Sequence, residues 1–398
     1  MPSGGAGGRS NGSAGDGAGK GVGALFTFDD NMGRRSYRRR TPSFWHFSRL
    51  RDLISDSMAI DMGSASTIIA VKGRGVVVDE PSVVAINKLT GEVVAYGQEA
   101  REMQGREARE ISLVAPMMGG VVADFVYTQK MLDHFVRQAR SGFSHFSRRA
   151  VMGVLAGVTH VEQRALLTAA EHAHIGRIYM VEEGLAAAIG AGADIEDARA
   201  VAVVDIGGDT TNIAVVALGQ IVYARAERIG SNHIDAAIVE RLRRFRGLII
   251  GAPTAARLKM ELGSAIEPAD PTRALTVKGR DVHTSGPGAI EVTADEIYVV
   301  AQNIVRKIAD AVRNALADLQ PEVAADIYDR GIILTGGGAL LEGMDAYLQR
   351  ETNLRTQLPE EPRYAIVQGL AQLFDIPLLL RRVARNEPSL LLDAEVST

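Results

Sequence analysis

The sequence predicts an α/β protein built by duplication, with two strand-rich lobes, helices on both faces of each, and a cleft between them. Three observations predict it. A short apolar strand that ends in an aspartate and a glycine-rich turn, then doubles back through a hairpin, occurs twice. Strand and helix signals alternate along the rest of the chain. At 398 residues the chain is also long for one hydrophobic core, so two domains of ordinary size are expected.

The first copy runs Met58-Ala59-Ile60, then Asp61-Met62-Gly63-Ser64-Ala65-Ser66-Thr67, the strand Ile68 to Lys72, the turn Gly73-Arg74-Gly75 and the strand Val76-Val77-Val78. Pro81 to Ile86 reads as a strand and Gln129 to Arg140 as an amphipathic helix. Val151 to Val158 reads as a buried strand, Thr159 as an N-cap and Val161 to His172 as its helix. Ile178 to Val181 is a short strand, followed by Glu182-Glu183 and a small-residue helix, Leu185 to Ala191, able to pack closely on its neighbours. The second copy runs Val201 to Val204, Asp205-Ile206-Gly207-Gly208-Asp209-Thr210-Thr211, Ile213 to Ala217, a turn at Gly219 and Ile221 to Tyr223. Helices are predicted over 232–245 and 254–264, an irregular stretch over 266–292, a long helix from Ala294 to Leu319 and a strand from Gly331 to Leu334. The final signal is Leu334-Thr335-Gly336-Gly337-Gly338-Ala339-Leu340-Leu341, a strand that passes through three glycines into a predicted helix.

These turns carry the chemistry. Glycine lets backbone N–H groups approach a phosphate, hydroxyls supply further donors, and Asp61 and Asp205 are hard oxygen sites for hydrated Mg²⁺. Two such turns facing each other would clamp one nucleotide between related domains. Glycines at 336, 337 and 338 would admit a ribose or α-phosphate at a helix N-terminus.

Composition excludes several alternatives. Hydrophobic residues make up 46% of the chain and charged ones 23%, as in soluble globular proteins. With no cysteine there are no disulfides, thiolate metal sites or cysteine nucleophiles, which fits a reducing cytoplasm. No apolar run reaches the roughly 18 residues that span a bilayer, and the basic N-terminal residues are not followed by the apolar core of a signal peptide.

The net charge of −4 conceals an asymmetry, because residues 1–54 hold nine Lys or Arg against four Asp or Glu. Residues 1–42, first Gly/Ser-rich and then Arg-rich, are expected to be disordered. From 43 to 55 the pattern becomes that of an amphipathic helix. Phe44, Phe47, Leu50, Leu53 and Ile54 share an arc interrupted by Arg51, with Arg38, Arg39, Arg40 and Arg49 available to anionic headgroups. Residues 38–54 therefore read as a contact to an anionic membrane surface, with a basic linker or a helix docked on the body as the alternative.

The order of these motifs resembles the actin, sugar-kinase and DnaK-type chaperone superfamily, and more closely the MreB-type bacterial actins. The stretches Val71 to Gly75, Asp79 to Ile86, Gly120 to Phe125, Val161 to Ala165, Ala186 to Gly192 and Glu261 to Ala265 resemble segments of that family in the same order, over roughly 56–375. The resemblance implies a duplicated actin-like (ribonuclease H-like) fold, with domain I at 56–200, domain II at 201–378 and a C-terminal tail at 379–398. It implies ATP or ADP with Mg²⁺, a slow ATPase coupled to polymerisation, and self-assembly into filaments at the inner face of the cytoplasmic membrane. Cell-wall synthesis and shape-complex proteins are the implied partners, and no nucleic acid. By position, Asp61 and Asp205 would orient Mg²⁺ through water. Gly63, Ser64, Ala65 and Ser66 would hold phosphates together with Gly207, Gly208, Asp209 and Thr210. Gly336, Gly337 and Gly338 with Lys259 and Glu261 would frame the adenosine. Glu162 would orient the attacking water, with Thr211 assisting.

The chain also departs from the family pattern. Asp209 stands where the family has a third glycine, Asn212 where it has Glu, Ser66 where it has Asn, and Leu155-Ala156-Gly157 where it has Pro-Ser-Gly. A carboxylate at 209 would add negative charge beside a triphosphate and weaken its binding unless a cation or its own conformation absorbs it. Together these changes suggest a divergent paralogue with a slow or impaired nucleotide cycle, acting as a scaffold or as a modulator of another filament. A sugar- or acetate-kinase activity would need a substrate base in the cleft, for which no separate motif is present. A DnaK-like chaperone would need a long C-terminal substrate domain, where only about 20 residues follow the last lobe.

Overall fold

The computed structural model of the chain describes residues 57–140 and 149–386. The expected disordered extension and amphipathic helix, and the end of the C-terminal tail, lie outside the described residues.

Lobe I opens with β1 (Ser57–Met62), β2 (Ser66–Val71) and β3 (Gly75–Pro81). Ser82 and Val83 then interrupt the chain before β4 (Val84–Asn87), so the single strand expected over 81–86 is two strands in two sheets. The reason is local: the Ser82 hydroxyl turns back to donate to the Gly63 carbonyl at 2.6 Å and pairs with the Thr67 hydroxyl at 2.9 Å. A small arm follows, with β5 (Val93–Tyr96), α1 (Gly97–Glu102), β6 (Ile111–Val114), β7 (Met117–Met118) and β8 (Val121–Val122). α2 (Phe125–Ala139) is N-capped by Asp124, and β9 (Arg149–Val154) is shorter than the strand expected over 151–158. Gly157, at φ +74°, turns the chain toward the Thr159 cap of α3 (His160–His172). β10 (Ile178–Glu182) and α4 (Glu183–Gly190) complete the lobe.

Lobe II repeats the plan with β11 (Val201–Ile206), β12 (Thr211–Ala217), β13 (Gln220–Glu227), α5 (Asn232–Phe245), β14 (Leu248–Ile249) and α6 (Ala252–Leu262). The stretch expected to be irregular over 266–292 contains a hairpin, β15 (Ala274–Asp281) and β16 (Pro287–Thr293), paired antiparallel with Ala274 opposite Thr293 and Arg280 opposite Pro287. The hairpin is hard to read because only Val277 and Val292 are fully buried along it. Its turn is set by the Asp281 carboxylate, which accepts from the N–H groups of His283 and Thr284. α7 (Ala294–Ala317), α8 (Pro321–Arg330), β17 (Ile332–Thr335), α9 (Met344–Thr352), β18 (Thr356–Gln357), α10 (Ala365–Gln372) and α11 (Pro377–Val383) follow. The expected tail at 379–398 thus begins inside α11.

The duplication is explicit in the sheets. Lobe I runs β10-β9-β1-β2-β3 and lobe II runs β18-β17-β11-β12-β13. In each, the hairpin pairs are antiparallel and the two remaining pairs are parallel. Each lobe has its own apolar core, and a third core is shared between them. That third core is built on α4 and α10, which cross so closely that a Cβ on Gly190 would lie 1.8 Å from the Ala365 carbonyl oxygen, and one on Gly369 the same distance from that of Ala186. Glycine is required at both positions of that crossing, in keeping with the close packing expected of the small-residue helix α4. α10 also touches β1, β2 and β9, so a segment assigned by sequence to the second domain is packed on the first.

Candidate nucleotide-binding site

The two repeated turns fold the same way. Gly63 N–H donates to the Ser66 carbonyl at 3.0 Å, and Gly207 N–H to the Thr210 carbonyl at 2.8 Å. They also face each other, since a Cβ on Gly208 would lie 2.7 Å from the Ala65 Cβ. The first turn is held by Ser82 from behind and by Gly120 N–H, which donates to Ser64 Oγ at 3.0 Å. The second is docked on the start of α5, where Ser231 N–H and Asn232 N–H donate to the carbonyls of Gly207 and Gly208. Between the lobes lies a cavity of about 1180 Å³ lined by both turns, by Asp61, Glu183 and Asp205, and by residues from α1, α6 and the 336–338 loop.

Three carboxyl groups meet at its floor. Burial pushes Asp205 up to about 6, although the Thr335 hydroxyl donates to its Oδ1 at 2.9 Å. Burial, and then the neighbouring Asp205 charge, push Asp61 up to about 7. Glu183 is raised well above the usual carboxylate range by burial and then by Asp61 and Asp205, partly offset by Asn212 Nδ2, which donates to its Oε2 at 3.0 Å. Asn212 Oδ1 is buried with no hydrogen-bond donor. Crowded carboxyl oxygens whose charged forms are disfavoured until a cation arrives, with an orphaned amide oxygen beside them, form a hard donor set short of positive charge, and this set fits a hydrated divalent cation. Among the described residues no three His, Cys, Asp or Glu side chains stand where they could ligate an ion directly.

The three glycines of the last loop have different reasons to be glycine. Gly336, at φ +87°, leaves no room for a Cβ, which would stand 2.3 Å from the Ile206 carbonyl oxygen; one on Gly338 would stand 2.4 Å from Ile206 Cγ2. Only Gly337 faces open space. The helix expected after this loop is a single 3₁₀ turn, Gly337–Leu340, closed off by Gly343 at φ +70° before α9 begins.

Most of the residues singled out in the sequence converge here. Asp61, Gly63, Ser64, Ala65, Ser66, Gly207, Gly208, Asp209, Thr210, Lys259, Gly336, Gly337 and Gly338 all line the cavity. Lys259 Nζ binds Asp235 Oδ2 at 2.9 Å and the Ser231 carbonyl at 3.1 Å. Asp209 is turned toward α5, its Oδ1 accepting from Asn232 Nδ2 at 2.9 Å. Glu261 is exposed and outside the cavity wall, one residue round α6 from Met260. Thr211 is fully buried and donates to the Ile229 carbonyl at 2.8 Å. Glu162 also lies outside the wall. Its Oε2 accepts from Thr159 N–H and Oγ1 at 2.8 and 2.7 Å, a capping box that holds its carboxyl below the usual range. Glu183, Asn212 and Asp235 were missed as site residues. The adjacent pair Glu182-Glu183 was visible, but only the fold shows that one carboxylate faces the cavity while the other meets Arg385.

The model of the MreB/Mbl protein family matches residues 55–378. The cell shape-determining protein MreB of Pasteurella multocida is 41% identical over 329 residues, covering 81% of this chain and 94% of its own. Among solved structures, MreB5 of Spiroplasma citri bound to ADP superposes with a TM-score of 0.77 at 30% identity, covering 83% of this chain and 98% of its own. The same protein bound to AMPPNP gives 0.77 at 31%, covering 82% and 97%. With a duplicated actin-like fold and matching turns across its cleft, the chain belongs to the MreB/Mbl family.

Proposed function

We propose that this chain binds ATP and ADP with Mg²⁺ in the interlobe cavity and polymerises into filaments at the inner face of the cytoplasmic membrane, where they take part in cell-shape determination. The observation that carries the reading is the pair of matching turns facing each other over three buried carboxyl groups. Two related structures hold ADP and AMPPNP, and the curated relatives are cell shape-determining proteins. Mg²⁺, when bound, supplies charge that offsets both phosphates and carboxylates. Asp61, Asp205 and Glu183 would hold its water shell. The 63–66 and 207–210 turns would hold phosphates, and Lys259 and the open face of Gly337 would flank the adenosine.

One specific observation favours a slow or non-hydrolysing filament protein, acting as a scaffold or modulator. Glu162 and Thr211, which the family resemblance casts in hydrolysis, are each engaged in hydrogen bonds away from the cavity wall. Pelleting with ATP, ADP and no nucleotide, with phosphate release followed in the same tubes, tests both. Nucleotide-dependent pelleting with slow release is expected, and pelleting indifferent to nucleotide would refute the coupling of cavity to polymer.

Attachment through residues 38–54 rests on their arginine cluster and apolar arc. No helix among the described residues is long and apolar enough to cross a membrane. Removal of residues 1–54 should release filaments from anionic liposomes and leave ATP binding unchanged. Equal co-sedimentation of truncated and full-length protein would return the segment to a linker. Cell-wall synthesis and shape-complex proteins are the partners this role implies.

A further inference from the structure

After β18 the chain returns from lobe II to lobe I through one short 3₁₀ turn, Pro362–Tyr364, that runs directly into α10. Each residue of the turn has its own anchor. The Pro362 carbonyl accepts from Gly336 N–H at 2.9 Å, which ties the turn to the glycine loop of the cavity. Arg363 lines the cavity, and its Nη2 donates to Asp79 Oδ1 at 2.5 Å. The Tyr364 hydroxyl donates to Asp79 Oδ2 at 3.0 Å. Asp79 stands on β3, paired in register with Ile68 of β2. Both oxygens of one lobe I carboxylate therefore hold consecutive residues of the crossing.

We propose that Asp79, Arg363 and Tyr364 form a strut between the glycine loop and lobe I, and that Asp79 and Arg363 are positioning residues that set how fast bound nucleotide leaves. The proposal rests on the reading of the cavity as a nucleotide site. The connection is short and stiff. Gly336 is wedged against the Ile206 carbonyl, so a shift of the loop passes to Pro362 and from there to the two side chains that grip Asp79. Arg363 is the member of the strut that lines the cavity, and Asp79 fixes the position of its guanidinium there. Charge-assisted bonds of this kind are about twice as strong as neutral ones. Without Asp79 the crossing loses its hold on β3, and the loop is tied to lobe I on this side only through the packing of α10 on β1, β2 and β9.

The experiment follows release of fluorescently labelled ADP, chased with excess ATP by stopped flow, from the full-length protein and its Asp79→Ala, Arg363→Ala, double and Tyr364→Phe variants. Each alanine variant should release the label about tenfold faster, equivalent to about 1.4 kcal/mol. The double variant should be no faster than the quicker single one, because the second change removes a bond already broken. Tyr364→Phe, which deletes one hydrogen bond, should give about threefold. A merely structural role would lower the melting temperature and leave the release rate unchanged, and that result overturns the strut, as do additive effects in the double variant. If Asp79→Ala does not fold, Asp79→Asn is read instead, and an unchanged rate there overturns the proposal. Failure of the parent protein to retain labelled ADP would remove both this inference and the nucleotide reading, whereas normal retention with unaltered variants would remove the strut alone.

Discussion

Asp205→Asn is expected to make the empty protein more stable while it weakens nucleotide binding, and the size of the first effect follows from the buried carboxyl. Asp205 is 4% exposed and its carboxyl is held at about 6, against an ordinary value of 3.8. The native carboxyl holds its proton more tightly than the unfolded one. Between those two values the native state carries the extra proton, so stability falls as pH rises. The penalty is absent below 3.8, accumulates through the interval and is complete above about 6. At pH 8 it amounts to about 3 kcal/mol. Asparagine keeps the shape and can still accept from the Thr335 hydroxyl, which lies 2.9 Å from Asp205 Oδ1, but it carries no charge to bury. In nucleotide-free protein with chelator, scanning calorimetry at pH 8 should show a rise in Tm on the order of 5 °C. The rise should shrink as pH falls below 6 and vanish near pH 3.8. The same variant should lose Mg-dependent ATP binding by titration calorimetry. A variant equally or less stable than the parent at pH 8, or a gain that does not change with pH, would refute the argument that Asp205 is an uncompensated buried charge.

The glycine loop separates fold from function: Gly336→Ala should fail to give folded protein, because its Cβ meets the Ile206 carbonyl, whereas Gly337→Ala should fold normally by circular dichroism and weaken nucleotide binding alone. Asp209→Gly removes a carboxylate from the cavity wall and should tighten ATP binding or raise turnover; no change in either would mean that the bond to Asn232 already neutralises its effect. Glu162→Gln keeps the capping box while removing the charge, so it should leave Tm nearly unchanged and lower whatever slow phosphate release the parent shows; Glu162→Ala should also lower Tm slightly, because Thr159 N–H loses its acceptor while the Thr159 hydroxyl still caps the helix.

The sequence by itself determined the duplication, because an aspartate followed by a glycine turn and a hairpin is a local pattern, written in consecutive residues. It also located Thr159 as a helix cap, α5 to the residue and the close packing of α4, all of which depend on short-range geometry and side-chain size. The hairpin over 274–293 escaped because its inward face carries only Leu275, Val277, Ile290 and Val292, and its apolar alternation breaks off at Gly279 and Gly288. Only the tertiary structure decided which of two adjacent glutamates faces the cavity, that Gly336 and Gly338 serve packing while Gly337 serves space, and that Glu261 and Thr211 stand outside the wall. It alone placed α10 on lobe I and joined Asp79 to Arg363 and Tyr364. The physical reason is the same in each case. Burial, desolvation of a carboxyl and a contact across the lobes depend on neighbours brought from distant parts of the chain, and no local periodicity encodes them.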